Sequence, residues 1–245
     1  MLYNEWLKFR RSGLFWTLPV VGLFSPLLFM GLRLSEKLRF ADSQTMPWTE
    51  YFGNEKIFYC FFIVLIWMGL IAGQLISREY TDHTVSILYT YPASRISIIL
   101  SKTVIVGFIV LLCQAFEFTG LYFTSWIYKG EVMPANILVQ ELQRTGISLL
   151  GQLALVPLFV WLSQLGRSIL LPIIAAIGLM ITNPMVVVIN PTSYSPFSMY
   201  VSPYVSIISG SPALPVGRLL LVDLMMFVVT MSILLFHTVK MEIRS

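Results

Sequence analysis

Charge is scarce in this sequence: Asp, Glu, Lys and Arg make up 11% of its 245 residues, where an ordinary soluble domain carries about 25%. With 57% hydrophobic residues and a mean hydropathy of +0.80, the chain cannot clothe a water-facing surface and reads as an integral membrane protein. Catalytic signatures are missing as well. There is no Gly-x-x-x-x-Gly-Lys-[Ser/Thr] run, so no loop of that kind cradles ATP phosphates. The two histidines, His83 and His237, lie far apart and outside any His-Glu-x-x-His arrangement, and a Gly-x-Ser-x-Gly elbow is absent. Cys60 and Cys113 are the only cysteines. Both fall inside apolar runs, which leaves neither a disulfide framework nor a metal spacing. An intramembrane enzyme has no catalytic set to stand on, and the reading is of a non-enzyme with no metal site.

A net charge of +4 and a pI near 9.1 would suit a nucleic-acid binder if the basic residues formed a stripe. They are scattered at the ends of apolar runs instead, so they read as topology signals and no nucleic-acid partner is expected. Lys8, Arg10 and Arg11 precede the first apolar run without a small-x-small cleavage site after it, so that run is expected to be retained as an anchor.

Six runs are long enough to cross a bilayer, at about 14–32, 57–76, 103–128, 145–165, 169–189 and 218–239. The expected fold class is therefore all-α, a single transmembrane domain of six spans over 1–245. Pro19, Pro26, Pro172 and the Asn183–Pro184 pair are expected to bend their helices. Gly69 and Gly73 are expected to let a neighbouring helix approach closely. Residues 33–56 carry acids and bases in balance, Arg33, Lys37, Arg39 and Lys56 against Glu36, Asp42, Glu50 and Glu55, and read as a long polar loop in water. Residues 129–144 read as a short polar connection.

Ahead of the first span, residues 1–12 place Leu2, Trp6 and Phe9 on one helical face, with Asn4, Glu5, Lys8 and Arg11 largely on the other. Such a helix lies in the interface plane, its tryptophan at headgroup level, with Arg10 and Arg11 toward anionic lipid. Within the third predicted span, Glu117 sits near mid-depth, one turn from Gln114. An acid there needs a partner or a proton. It either lines a polar substrate path or is held by glutamine or serine of a neighbouring helix, with no second acid expected at that depth. Residues 190–217 contain no charge but are rich in Pro, Ser, Tyr and Gly. They are too broken for a span and too apolar for a free loop, so a re-entrant pair of short helices is expected there.

Residues 77–102, between the second and third spans, are polar and partly amphipathic. Arg78, Glu79, Asp82 and His83 lead into Val85, Leu88 and Tyr89 at helical spacing. Pro92 stops that turn, and Ser94 is placed to cap a second start ahead of Arg95. Two short helices bent at a proline make a stiff knob beside the membrane. The pattern Glu79, Thr84, Leu88, Pro92, Ser94, Arg95 and Lys102 resembles the first intracellular loop of type-2 ABC exporter permeases. The small six-span permeases that export bacitracin, lantibiotics and other peptides are similar; His83 departs from the pattern, standing where many relatives have glycine.

The resemblance implies that Glu79, Tyr80, Asp82, His83, Thr84, Leu88, Pro92 and Arg95 couple to a separate ATPase. Trp6, Phe9, Arg10 and Arg11 would belong to an elbow helix, and 190–217 to external helices that roof the pathway. ATP and magnesium would be bound by two ATPase copies and no cofactor by this chain, with a second permease copy or a homologous permease as the other partner. A small excess of Lys and Arg at 8–11, 78–102, 167 and 240–244 over the opposite side is expected to place both termini in the cytoplasm; the resemblance implies a plasma membrane and a bacterial source. A proton-coupled carrier or channel built on Glu117, or a non-transporting sensor or immunity scaffold, stands as the alternative.

Overall fold

Apolar runs in lipid must satisfy every backbone group internally, which leaves helices as the form these runs take. The computed structural model describes residues 2–39, 46–81, 94–189, 195–210 and 215–240, and these form helices and no strand. In chain order they are α1 (Leu2–Arg11), α2 (Leu14–Arg39), α3 (Trp48–Phe58), α4 (Leu65–Thr81), α5 (Arg95–Lys129), α6 (Ala135–Gly166), α7 (Leu170–Ile189), α8 (Ser202–Ser209) and α9 (Val216–Lys240). A wide π-type turn, Tyr59–Val64, joins α3 to α4 in one continuous rod, and a 3-10 turn, Met199–Val201, leads into α8. Six rods are long and apolar enough to span a membrane: Leu14–Leu38, Trp48–Glu79, Arg95–Lys129, Ala135–Gly166, Leu170–Ile189 and Val216–Lys240.

Helix α2 lies along α5, α6 along α9, and α4 against both α7 and α6. The core is built where they meet, around Tyr59, Leu65, Met68, Ile71, Val106, Ile109, Leu155 and Phe159. Outward faces stay apolar, with Trp16, Val20 and Leu27 on α2, Val188 on α7 and Leu224 and Val228 on α9 all exposed. Such a surface suits hydrocarbon rather than water.

Two of the expected small-residue contacts are present. A Cβ on Gly69 would meet the Pro172 carbonyl oxygen at 2.8 Å, and one on Gly73 would meet Ile169 at 2.7 Å, so α4 and the start of α7 touch through bare backbone. Pro19, Pro26, Pro157 and Pro184 all lie inside helices.

The polar connections are shorter than their charge suggested. Residues 33–39 continue α2 and residues 48–56 belong to the next rod, so 33–56 is not a long aqueous loop. Glu55 and Lys56 are fully buried, because their charges meet partners on other helices instead of water. Similarly, α6 begins at Ala135, which places Glu141 and Arg144 on a helix rather than in a connection. The start of α5 at Arg95 draws Lys102 out of the polar segment and into the protein, 2% exposed.

Within 190–217, the described residues 195–210 pack into the bundle. Tyr200, Val201 and Tyr204 are buried. Asn183 Nδ2, one residue before the proline in α7, donates to the Phe197 carbonyl at 2.8 Å and to the Tyr200 hydroxyl at 3.3 Å. A Cβ on Gly151 of α6 would meet Tyr200 backbone and side-chain atoms at 2.9–3.1 Å. The segment is thus seated against α6 and α7.

Candidate functional site

Two groups of polar residues stand out, one at the end of the bundle where α1 lies and one deep inside it.

At the first, α5 starts with Ser94 in extended conformation, its side chain accepting from the Ser97 N–H at 3.2 Å. That is the expected cap, satisfying a backbone donor that has no intrahelical partner. Arg95 follows, exposed. Glu79, near the end of α4, faces Lys102 at 2.7 Å and Lys8 at 3.7 Å. Lys8 also bonds Glu5 at 2.9 Å, and Lys102 lies 3.7 Å from Glu5 and donates to the Leu75 carbonyl at 2.8 Å.

Two acids and two lysines therefore tie α1 to the end of α4 and to the first turns of α5. Burial works against the Lys8 ammonium, but its hydrogen bond to Glu5 and the charges of Glu5 and Glu79 outweigh that and raise its pKa above the ordinary lysine value. Of the residues assigned to coupling, Glu79 and Arg95 are brought to this end. Asp82, His83, Thr84, Leu88 and Pro92 lie outside the described residues, as does the side chain of Tyr80.

Helix α1, the expected elbow, packs against the protein as well as lying beside the stems of the 77–102 segment. Phe9 is 1% exposed and belongs to the core. Trp6 meets Phe108 edge-on at 5.4 Å and Phe15 at 6.2 Å, so the Trp6 and Phe9 part of the apolar face packs against protein. Glu5, expected toward water, is turned inward by the two lysines. Arg10 and Arg11 remain exposed.

The second group is centred on Glu117. Lys56 Nζ donates to Glu117 Oε2, and both side chains are fully buried. Gln114 Nε2 donates to the same oxygen at 3.2 Å, and Gln152 Nε2 reaches Gln114 Oε1 at 3.1 Å. Ser25 donates to Glu55 Oε1. Glu55, fully buried next to Lys56 in the chain, interacts electrostatically with Glu117, so a second acid does occupy that depth, contrary to expectation.

From here a polar stripe runs along α6. Gln152, Ser148, Thr145 and Glu141 recur at spacings of four, three and four, all buried on one face. Ser148 Oγ lies 3.6 Å from Cys60 Sγ, Thr145 Oγ1 lies 2.9 Å from the Tyr204 hydroxyl, and Arg144 donates to Glu141. The apolar context of the third span singles out Glu117 and Gln114 but not Lys56, Glu55 or this stripe. The 141, 145, 148, 152 spacing was the available signal, since one polar face on an otherwise apolar helix points inward.

A model of the ABC-2 family transporter proteins matches residues 1–183. The chain belongs to that family. Both polar groups involve residues within the matched region, with Tyr204 beyond it. Membership makes this ABC-2 protein a membrane component of an ABC transporter, for which an ATP-binding subunit is the general partner, and places it in a membrane. No curated protein matches the chain.

Proposed function

We propose that the chain is the permease subunit of an ATP-driven exporter, moved by a separate ATPase that grips the 77–102 segment from the cytoplasm. Two ATPase copies carrying ATP and magnesium would serve two permeases, either two copies of this chain or this chain and a homologue. The observation that carries this reading is the Glu79–Lys102–Lys8–Glu5 cluster. It joins the two stems of the segment to α1, so a push on the segment is delivered to α4 and α5 together.

The cargo is an amphipathic or antimicrobial peptide, exported for resistance or secretion. The resemblance of Glu79, Pro92, Ser94 and Arg95 to the loops of small peptide-exporting permeases supports this, as does a scarcely charged, aromatic-rich sequence. Family membership favours a motor-driven permease over a stand-alone proton-driven carrier.

Arg95→Ala provides the test, because Arg95 is exposed at the first position of α5, directly after the Ser94 cap. In membranes holding the permease with its ATPase, the variant should assemble normally, hydrolyse ATP, and lose most peptide efflux and most stimulation of hydrolysis by peptide. Normal efflux and normal stimulation would count against coupling through this segment. A permease that never co-purifies with an ATP-hydrolysing subunit would remove the motor from the proposal.

A further inference from the structure

Two facing carboxyl groups cannot hydrogen-bond to one another while both are ionised, because a carboxylate only accepts. Glu55 and Glu117 are both fully buried beside Lys56, Glu55 as its chain neighbour and Glu117 as the acceptor of its ammonium, and each carboxyl lies within the other's electrostatic reach. Each uses one oxygen on a donor, Ser25 for Glu55 Oε1 and Lys56 with Gln114 for Glu117 Oε2. The other oxygens, Glu55 Oε2 and Glu117 Oε1, are buried with no donor among the described residues. Charge shows the same deficit. Two carboxylates against the single Lys56 ammonium leave one negative charge uncompensated inside the protein, which is expensive wherever water is excluded.

We propose that Glu55 and Glu117 bind one exchangeable proton between them, beside Lys56, as a proton-binding site inside the permease. The proton bonds to one carboxylate oxygen and is donated to the other, which completes both sets of hydrogen bonds and makes the Glu55–Lys56–Glu117 group neutral. A metal ion does not suit the place, since the Lys56 ammonium already stands there as the cation.

Titratable and charged groups reach the surroundings of the pair from every helix packed there. They are Tyr51, Glu55 and Lys56 on α3, Tyr59 and Cys60 on the wide turn, Cys113 and Glu117 on α5, Glu141 with its own partner Arg144 on α6, and Tyr204 on α8; α2 contributes the Ser25 hydroxyl. None of these but Lys56 offers the pair a compensating charge in direct contact. The site is not sealed in hydrocarbon either. Gln152, bonded to Gln114 and Ser148, continues the polar surroundings of the pair along α6 toward Thr145 and Glu141.

The test is infrared difference spectroscopy on the full chain in lipid nanodiscs through a pH titration, in water and in deuterium oxide. A protonated-carboxyl stretch that shifts with deuterium is expected in the wild type. It should be lost in Glu55→Gln, whose amide replaces the acid and its proton and can still donate to Glu117. Signals from the other buried acids, Asp223 on α9 and Glu141 on α6, are common to both proteins and cancel in the difference. Glu50→Gln, at an exposed acid, should leave the band in place. Retention of the full band in a folded Glu55→Gln protein overturns the proposal, and so does a wild type without such a band at any pH. Should Glu55→Gln prove unstable, selective 13C labelling of glutamate in a Glu141→Gln protein decides the same question: an isotope-shifted protonated band supports the site, and only ionised glutamate bands at neutral pH refute it.

Discussion

Lys56 on α3 donates to Glu117 on α5, across the middle of the bundle and with no exposure on either side chain. An ion pair so placed is not a strong source of stability in itself, since both ions lose their water. Removing one partner is another matter, because it strands the other. The pair therefore fixes how α3 registers against α5.

Lys56→Met should destabilise the protein by about 3–5 kcal/mol, the usual cost of breaking a buried pair. Combining it with Glu117→Leu should recover most of that loss. Unfolding in detergent, followed as a double-mutant cycle, checks this. A Lys56→Met protein as stable as the wild type would mean that Glu117 finds other compensation.

Gly151 and Gly146 lie on the same helix and should respond oppositely to alanine. At Gly151 the new methyl would meet Tyr200 at 2.9–3.1 Å, backbone atoms included, and overpacking of that kind costs about 1–3 kcal/mol. At Gly146 nothing lies within 4 Å, so alanine should be neutral or stabilise by up to about 1 kcal/mol through helix propensity. Melting temperatures of the two variants, measured side by side, decide the point.

Lys102→Met should loosen α1. It leaves Glu5 and Glu79 facing each other with only Lys8 between them, and a helix held by fewer contacts opens locally more often. The Arg10–Arg11 pair is exposed on α1, so limited trypsin digestion should cut there several-fold faster than in the wild type. An unchanged cutting rate would show that Phe9 and Trp6 hold α1 in place unaided.

Tyr204→Phe removes the hydroxyl that meets Thr145 at 2.9 Å and keeps the ring. A loss of about 1 kcal/mol is expected for a single neutral hydrogen bond, with hydrogen exchange rising first in 202–209. A change confined to other segments would argue that α8 is held by packing alone.

The rods are legible in the sequence because runs such as Arg95–Lys129 are apolar over more than a bilayer's thickness, and no second explanation competes. Their ends are not. Charge marks water for Arg10, Arg11 and Arg95, but Lys56 and Lys102 pair with acids far away in sequence and Glu55 accepts from Ser25 on another helix, and such pairing is invisible before the helices are assembled. Glu117 and Gln114 are visible because a lone acid in an apolar run has no local solution. Helix α1 has the pattern of a lipid-surface helix, since amphipathicity does not say whether lipid or protein will cover the apolar side; Phe108 and Phe15 do so here.

The wide turn Tyr59–Val64 separates two halves of one rod, the half bearing Glu55 and Lys56 and the half that ends at Glu79. Such a turn holds one residue more than the α-helical pitch requires. Moving that surplus residue along the rod, or squeezing it out, would swivel one half against the other by about 100° and slide it by about 1.5 Å without interrupting the helix. The rod is therefore built like a shaft with a slip joint, able to pass torque between the charged interior and the α1 end of the protein.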